Sequence, residues 1–321
     1  MASAATVTVT GDDGNAVALA GPLNIRNMSP RVAVTLASGE HYGFTVTGPN
    51  GAQVSSPDTC VAAGDPPRTV DYVGNGAYTV NLTRYAGVSC TGGASTTALP
   101  FTITASVALG QPQSAVLTRK PGEVVPNTVS LPIDLNPGAL AHEVFVARNV
   151  QVNPDGSLPG APVALFPDAA SRTVPVRLDQ GPGRYVVVAR AKGFAGLSTP
   201  SAFTAWSAPA SIQAFAPFDL QKFTWTDQRG PSYRFAAVIR ATGASGRVNV
   251  AIGRGTKGRY RSYGTAKIRR HRFSKRFRLT GAGTYRIRFK YKGNATVAGG
   301  FEVHEFRVTR RTFFRPAAIA G

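Results

Sequence analysis

The chain has 321 residues, enough for two or three domains, and its hydrophobic fraction of 43% excludes wholesale disorder. Glu occurs only five times, whereas 35 Gly and 23 Pro disfavour helices, so the composition argues against a helical protein. The formal net charge is +20, and no apolar run reaches the roughly 18 to 20 residues of a membrane-spanning helix, so we expect no membrane span.

The start of the chain bears on where the protein is found. Met1 to Ala5 runs directly into the strand-like segment Thr6 to Thr10. A secreted protein would begin with a cationic and then apolar leader, which is removed on export. We therefore interpret Met1 as the replacement of a removed leader and expect a secreted, extracellular or cell-surface protein, with a cytosolic protein as the alternative.

Cys60 and Cys90 are the only cysteines and lie 30 positions apart, which permits one intramolecular disulfide and excludes a four-cysteine zinc site. Both lie in polar, Gly-rich surroundings, where exposed thiols oxidise. We predict a disulfide that stabilises by on the order of 3 to 4 kcal/mol, and with it an oxidising compartment. Two unrelated free thiols are the alternative.

A motif of the form Gly-x-Tyr, followed by alternating strand residues, occurs three times, with its tyrosines 107 and 100 residues apart. Another alternating stretch precedes each copy. Strand, glycine turn, tyrosine and strand form the pattern of a tyrosine corner, in which a Tyr near the start of a strand bonds its hydroxyl to upstream backbone. The predicted structural tyrosine corners are Tyr78, Tyr185 and Tyr285.

These copies resemble tandem immunoglobulin-like or fibronectin-like modules of secreted bacterial proteins, and the third is most similar to modules of secreted actinobacterial proteins. The residues that carry the likeness are Gly246–Val250, Gly281–Phe289 and Tyr291–Asn294. The resemblance implies an all-β fold with three tandem immunoglobulin-like β-sandwich domains, but it says little about function because such modules have many roles. Val80, Val187 and Ile287 stand where antibody domains have their second core cysteine, so the Cys60–Cys90 pair is a different bridge.

The repeat period sets the expected domain limits. They are 2–106, which contains the predicted disulfide, 107–208, a strongly basic third domain at 209–315, and a tail at 316–321 that lacks patterning and should fray. Ser207–Ala210 is interpreted as a short linker before the third domain.

Most of the positive charge belongs to the third domain. Residues 1–105 carry four basic and six acidic side chains, residues 106–208 carry eight and six, and residues 209–321 carry 24 and four. No acidic residue lies between Asp227 and Glu302, whereas 254–292 contains fifteen Lys or Arg. Solubility alone does not favour such an imbalance, because self-repulsion destabilises a compact domain.

Period-two alternation predicts where these cations point. Between Tyr285 and Lys292 every second residue is apolar, so one strand should bury the apolar side chains and project the cations from its other face. Arg276 and Arg278 flank Phe277 in the same way. The predicted polyanion-binding residues are Arg259, Arg261, Arg269, Arg270, Arg272, Arg276, Arg278, Arg286, Arg288, Lys290 and Lys292.

Three interpretations of this basic surface stay open. It can bind an anionic polymer such as nucleic acid or teichoic acid, through contacts that weaken steeply with salt. It can be a solvated surface in a chain whose composition is biased toward Arg, since Arg outnumbers Lys 28 to 8. It can also contact a partner protein or the cell surface. The acidic balance of residues 1–105 does not fit a uniform compositional bias.

The sequence contains no motif for catalysis, a cofactor or a metal. The histidines at 41, 142, 271 and 304 lack metal-ligand spacing and are interpreted as strand-surface residues. Asp12–Asn15 offers oxygen ligands for calcium, but a hairpin turn explains the same tetrad. Trp206 and Trp225 can stack on sugar rings, although their positions favour packing. We therefore predict that the protein is not an enzyme and needs no cofactor and no metal.

These observations predict a non-catalytic exported protein with a structural, adhesive or binding role at the cell envelope. The alternative is a polyanion-binding protein that uses its basic third domain, and carbohydrate binding or hydrolysis ranks below both. The expected partner is an anionic polymer, an envelope component or a partner protein, and the sequence makes no prediction of the oligomeric state.

Overall fold

The structure, a computed structural model, describes residues 5–56, 58–111, 114–117, 128–159, 164–167, 172–194, 196, 202–229, 231–255 and 258–309. In this part of the chain the helical structure is limited to a single 3-10 turn at Val88–Cys90, and all other regular elements are strands. No helix among the described residues is long and apolar enough to cross a membrane. The predicted all-β fold of tandem β-sandwiches is therefore confirmed.

The described strands fall into three consecutive groups along the chain. The N-terminal sandwich is formed by β1 (Thr6–Thr10), β2 (Ala16–Ala18), β3 (Leu23–Ile25), β4 (Arg31–Thr35), β5 (His41–Thr47), β6 (Asp58–Val61), β7 (Arg68–Thr69), β8 (Gly76–Gly87) and β9 (Thr91–Ile103). The middle of the chain forms β10 (Ala108–Leu109), β11 (Ala115–Val116), β12 (Thr128–Asp134), β13 (Ala141–Arg148), β14 (Ala164–Pro167), β15 (Thr173–Arg177), β16 (Gly183–Lys192) and β17 (Ala210–Phe215). The C-terminal sandwich is formed by β18 (Leu220–Arg229), β19 (Ser232–Ile239), β20 (Arg247–Arg254), β21 (Arg261–Lys267), β22 (Arg272–Arg278), β23 (Gly283–Tyr291) and β24 (Gly300–Val308).

The chain divides into two compact units. Unit 1 comprises Met1–Pro112, Ser130–Val176 and Val186–Ser211, and unit 2 comprises Gln113–Val129, Arg177–Tyr185 and Ile212–Gly321. The segment predicted as a linker leads directly into β17, which begins at Ala210. The limits 2–106, 107–208 and 209–315 stay predictions, and the tail predicted at 316–321 lies outside the described residues.

The N-terminal sandwich in unit 1 has two sheets, with the strand orders β2-β1-β4-β7 and β3-β9-β8-β5-β6. Among the described residues its strand pairs are antiparallel, except that β3 runs parallel to the end of β9. Alternate residues such as Val7, Val9 and Val46 are buried, as expected for strands whose inner faces pack against a second sheet.

Asn136 connects the middle strands of unit 1 to the N-terminal sandwich. Its buried side chain accepts a hydrogen bond from the Ser106 backbone N–H at 2.9 Å and donates one to the Arg26 carbonyl oxygen at 2.6 Å. The Asn136 backbone N–H donates to Nε2 of His142 at 3.0 Å. His142 is fully buried, so its interpretation as a strand-surface residue is wrong. A buried polar side chain is tolerated here because each of these groups has a partner.

The C-terminal sandwich in unit 2 has a three-stranded sheet, β18-β19-β22, and a four-stranded sheet, β21-β20-β23-β24. All of its strand pairs are antiparallel. Aromatic rings from both sheets fill its core, and the Phe273 and Phe289 rings meet edge to face with centroids 5.3 Å apart. This core leaves the outward positions of every strand available for charged side chains.

Each corner tyrosine bonds to a glycine four residues upstream. The hydroxyls of Tyr78, Tyr185 and Tyr285 donate to the carbonyl oxygens of Gly74, Gly181 and Gly281 at 2.8, 2.9 and 2.7 Å. The glycine two residues before each tyrosine has a φ of 143°, 148° or 149°, which side chains rarely adopt. This backbone requirement explains why the repeated motif reads Gly-x-Tyr.

Candidate anion-binding face

Strand β23 separates its apolar and charged residues onto opposite sides. The buried members are Tyr285, Ile287, Phe289 and Tyr291. Between and after them come the residues that we call the cationic face, namely Arg286, Arg288, Lys290 and Lys292. The two lysines are exposed and the two arginines are half-buried. Because successive side chains of a strand point to opposite sides, the cations lie on the outer surface of the four-stranded sheet.

Two apolar side chains of the edge strand β24 border the cationic face. Phe301 lies directly opposite Lys290 across the β23–β24 pair, and Val303 lies opposite Arg288. Phe301 is 67% exposed and Val303 is 44% exposed. Directly opposite residues on one face of an antiparallel pair have Cβ atoms about 4.5 to 5.5 Å apart, so each apolar side chain is within reach of its cation.

Three described residues that follow β20, namely Gly255, Gly258 and Tyr260, contact the two arginines. The Arg286 guanidinium donates to the carbonyl oxygens of Gly255 and Gly258 at 3.0 and 3.3 Å. The Tyr260 ring lies beside both arginines, 5.2 Å from Cζ of Arg286 and 4.6 Å from Cζ of Arg288. These bonds and cation–π contacts fix the arginines in place, whereas Lys290 on β23 and Lys292 just after it are exposed.

A glycine on β20 makes room for Gly258 and Tyr260. A Cβ at Gly253 would lie 3.0 Å from the Gly258 carbonyl oxygen and 3.6 Å from Tyr260 Cδ1. Gly253 is the register partner of Arg286 on the neighbouring strand. The close approach of backbone to backbone at Gly253 therefore positions Tyr260 against the cationic face.

The structure does not bring all eleven predicted cations together. Arg272, Arg276 and Arg278 are exposed on β22, which belongs to the three-stranded sheet. The two sheets of a sandwich face outward in opposite directions, about 10 Å apart, so a single ligand surface cannot touch both sets. Of the remaining predicted cations, Arg261 begins β21, whereas Arg259, Arg269 and Arg270 lie in the segments that flank that strand.

None of these eleven cations forms an ion pair with an acidic side chain among the described residues. In the described part of the C-terminal sandwich the ion pairs are Arg240 with Asp219 at 2.6 Å and His304 with Glu302 at 2.9 Å. On β19, Arg234 even lies directly opposite Arg276. Like charges directly opposite each other destabilise a sheet. The eleven cations are therefore not neutralised by ion pairs within the described residues, and some of them repel each other.

Sequence reasoning did not single out Phe301 and Val303. Alternation along β24 places them on the same side of the strand as Glu305, and it gives the other side to Glu302 and His304. The polar pair is accommodated because Glu302 accepts the Leu220 backbone N–H at 2.6 Å and His304 stacks on Phe223, with centroids 4.8 Å apart. Hydropathy alone would have assigned the two faces of β24 the opposite way, which is why the signal was missed.

The other candidate sites of the sequence have structural roles in the described residues. Oδ1 of Asp12 accepts the backbone N–H groups of Arg26 and Asn27 at 2.6 and 2.9 Å. Asp13 accepts two hydrogen bonds from Asn15, which lower the pKa of its exposed carboxyl. No group of three or more His, Cys, Asp or Glu that could hold a metal is found among the described residues.

The two tryptophans pack against protein groups. Cζ of Arg190 lies 4.3 Å from the centroid of the Trp206 ring. The Trp206 and Phe145 rings pack edge to face, with their centroids 5.0 Å apart. Trp225 packs against the core of the C-terminal sandwich, with the Phe306 ring 5.4 Å away. Both rings are half-buried, and these packing contacts account for their positions.

Cys60 and Cys90 form a disulfide, with their Cα atoms 5.4 Å apart. Cys60 lies on β6, and Cys90 ends the 3-10 turn between β8 and β9. The bridge therefore fastens the end of the long β8–β9 hairpin to the edge strand of the same sheet.

Comparison with known proteins leaves the family of the chain open. No family model and no curated protein matches it. Among solved structures, the FN1–FN3 domains of chicken CNTN1 are similar over 90% of this chain and 99% of that chain, at 10% sequence identity and a TM-score of 0.26. The fold assignment therefore rests on the sheets themselves.

Proposed function

We propose that the protein is a non-catalytic, exported β-sandwich protein that binds an anionic polymer at the cell envelope through its C-terminal sandwich. The observation that carries this proposal is the cationic face, whose four side chains form no ion pair among the described residues. Arg286, Arg288 and Lys290 lie along β23 and Lys292 directly follows it, while Glu305 of β24 lies opposite Arg286 at one end of the row. A strand rises about 3.4 Å per residue, so successive cations recur about every 7 Å. Such a row suits a ligand whose own charges repeat along a chain.

Export is supported by the disulfide. Bridges such as Cys60–Cys90 form and persist in oxidising compartments and are rare in the cytosol. A structural or adhesive role is compatible with the same architecture, since the sandwiches carry the basic surface on rigid strands. We propose no catalytic role: Asp12 and Asp13 accept hydrogen bonds from nearby backbone, and Glu302 accepts the Leu220 backbone N–H and pairs with His304.

The strength of the interaction should depend strongly on salt. Each phosphate contact contributes a slope of about −0.7 to −0.9 in a plot of log K against log salt concentration. Arg288, Lys290 and Lys292 together would contribute a slope of about −2. Between about 50 and 200 mM salt, these three contacts alone correspond to an affinity loss of about 20-fold.

Binding of the full chain to inorganic polyphosphate across a salt titration tests the proposal. The test variant carries Arg288→Ser, Lys290→Ser and Lys292→Ser. The matched control removes the same charge from the opposite sheet, by Arg272→Ser, Arg276→Ser and Arg278→Ser. Arg286 is kept in both, because its hydrogen bonds to Gly255 and Gly258 hold the segment after β20.

We expect the test variant to lose most of its affinity and about two units of salt slope, and the control variant to lose much less. Equal losses in both variants would mean that only the overall charge matters, which would overturn the assignment to this face. No binding by the unsubstituted chain would overturn the function itself.

A further inference from the structure

The cationic face carries an aromatic group that simple charge binding does not need. Phe301 is 67% exposed, and it does not belong to the core cluster of the C-terminal sandwich. It sits on β24, which is the edge strand of its sheet. An exposed apolar side chain on an edge strand favours aggregation, and a ligand that binds the neighbouring Lys290 would cover it.

A second flat group lies one row further along the sheet. The Arg288 guanidinium rests on the Tyr260 ring at 4.6 Å, and its register partner Val303 is 44% exposed. Arg288 is half-buried and so stays partly accessible, and the side of its guanidinium away from Tyr260 can take a second flat group. Guanidinium planes and aromatic rings are the two kinds of surface on which unstacked bases lie.

The cations and the exposed ring of Phe301 together distinguish between the possible anionic ligands. Polyphosphate and teichoic acid offer negative charge but no flat ring, so they would leave Phe301 in contact with water. Duplex DNA offers phosphates, but its bases are stacked inside the helix and unavailable to a ring on a flat sheet. A single strand of nucleic acid offers both a charged backbone and exposed base faces.

We propose that the cationic face binds single-stranded nucleic acid, with bases stacked on Phe301 and on the outer plane of Arg288. This inference rests on the proposed anion-binding function and names its ligand. The phosphates follow Lys290 and Lys292 along β23, and the bases turn toward β24. Binding should tolerate different sequences, because every base has a stacking face.

The experiment compares the full chain with its Phe301→Ser variant by fluorescence anisotropy. The ligands are labelled dT20, the duplex formed by dT20 and dA20, and inorganic polyphosphate of comparable charge. An exposed leucine in unit 1 provides the matched control, Leu140→Ser, which removes an apolar side chain that is 51% exposed but far along the chain from β24.

Phe301→Ser should weaken dT20 binding about 5- to 150-fold, the range measured for removing one stacking ring, and should leave polyphosphate binding unchanged. Leu140→Ser should change neither. The unsubstituted chain should also prefer dT20 to the duplex. If dT20 and polyphosphate bind equally and Phe301→Ser affects neither, the single-strand proposal is wrong while anion binding stands. If no anionic ligand binds, the proposed function fails as well.

Discussion

The corner tyrosines offer a quantitative test, because two of them differ in the number of hydrogen bonds they make. The Tyr78 hydroxyl donates to the Gly74 carbonyl at 2.8 Å and accepts the Val73 backbone N–H at 3.1 Å. The Tyr285 hydroxyl, within the described residues, makes the single bond to Gly281 at 2.7 Å. Both rings are buried. The same substitution, Tyr to Phe, therefore removes two hydrogen bonds at one corner and one at the other.

The expected magnitudes follow from this count. A buried group that loses its partner costs about 1 to 3 kcal/mol, and because these bonds are only part-buried we take about 1 to 2 kcal/mol for each. Tyr78→Phe should therefore destabilise its sandwich by about 2 to 4 kcal/mol, and Tyr285→Phe should destabilise its own by about 1 to 2 kcal/mol. Because each tenfold change in an equilibrium constant corresponds to about 1.4 kcal/mol, amide hydrogen exchange should accelerate about 30- to 1000-fold in β8 and about 5- to 30-fold in β23.

Hydrogen exchange followed by mass spectrometry measures both effects in the full chain, since peptides from β8 and β23 report each sandwich separately. Strand β8 in the Tyr285→Phe variant and strand β23 in the Tyr78→Phe variant serve as internal controls and should exchange at their original rates. An equal or smaller effect at β8 than at β23 would refute the reasoning that hydrogen-bond count sets the strength of the corner.

Two further predictions concern unit 1. Burial raises the pKa of Tyr78 to about 12 and raises that of Tyr72 as well, so both favour the neutral form in the folded state. The stability that they contribute should be fully present below about pH 10, which is the pKa of an unfolded tyrosine, and should be lost as the pH rises toward 12 and beyond. Near-ultraviolet circular dichroism during an alkaline titration measures this loss. An unfolding transition below about pH 9 would contradict the prediction. Asn136→Ala should lower the free energy of unfolding of unit 1 by about 2 to 4 kcal/mol, because the Ser106 N–H and the Arg26 carbonyl lose a buried partner. Urea unfolding checks this value, and a change within about 0.5 kcal/mol would show that water replaces the amide without loss.

The sequence was informative where a local pattern decides the structure. Successive side chains of a strand point to opposite sides, so the alternation along β23 predicts that Tyr285 is buried and Lys290 is exposed, as the structure has them. The Gly-x-Tyr motif reflects a backbone angle that glycine accepts, and it marked each corner from three residues. In both cases the physical cause lies within a few residues of the signal.

The grouping of the cations depends instead on strand pairing between distant parts of the chain. Strands β21 and β22 are neighbours in sequence, but β21 pairs with β20 and β22 pairs with β19. This change of sheet sends Arg272 and Arg276 to the side of the sandwich opposite Arg288. No local period contains that information, so the eleven basic residues could be predicted as a set but not divided into faces.

The arrangement of charge and core in the C-terminal sandwich also explains why binding and stability can be tested separately. Its aromatic core, with Phe235 and Phe289 in contact at a centroid distance of 4.9 Å, is formed by inward positions that the outward cations do not touch. Removing Lys290 or Lys292 should relieve repulsion without opening a cavity, whereas removing Arg286 would release the segment that it fixes at Gly255. The lysine variants should therefore lose binding while their stability stays unchanged or improves. This result would show that the lysines serve ligand binding, because removing a charge that stabilises the fold would lower the stability.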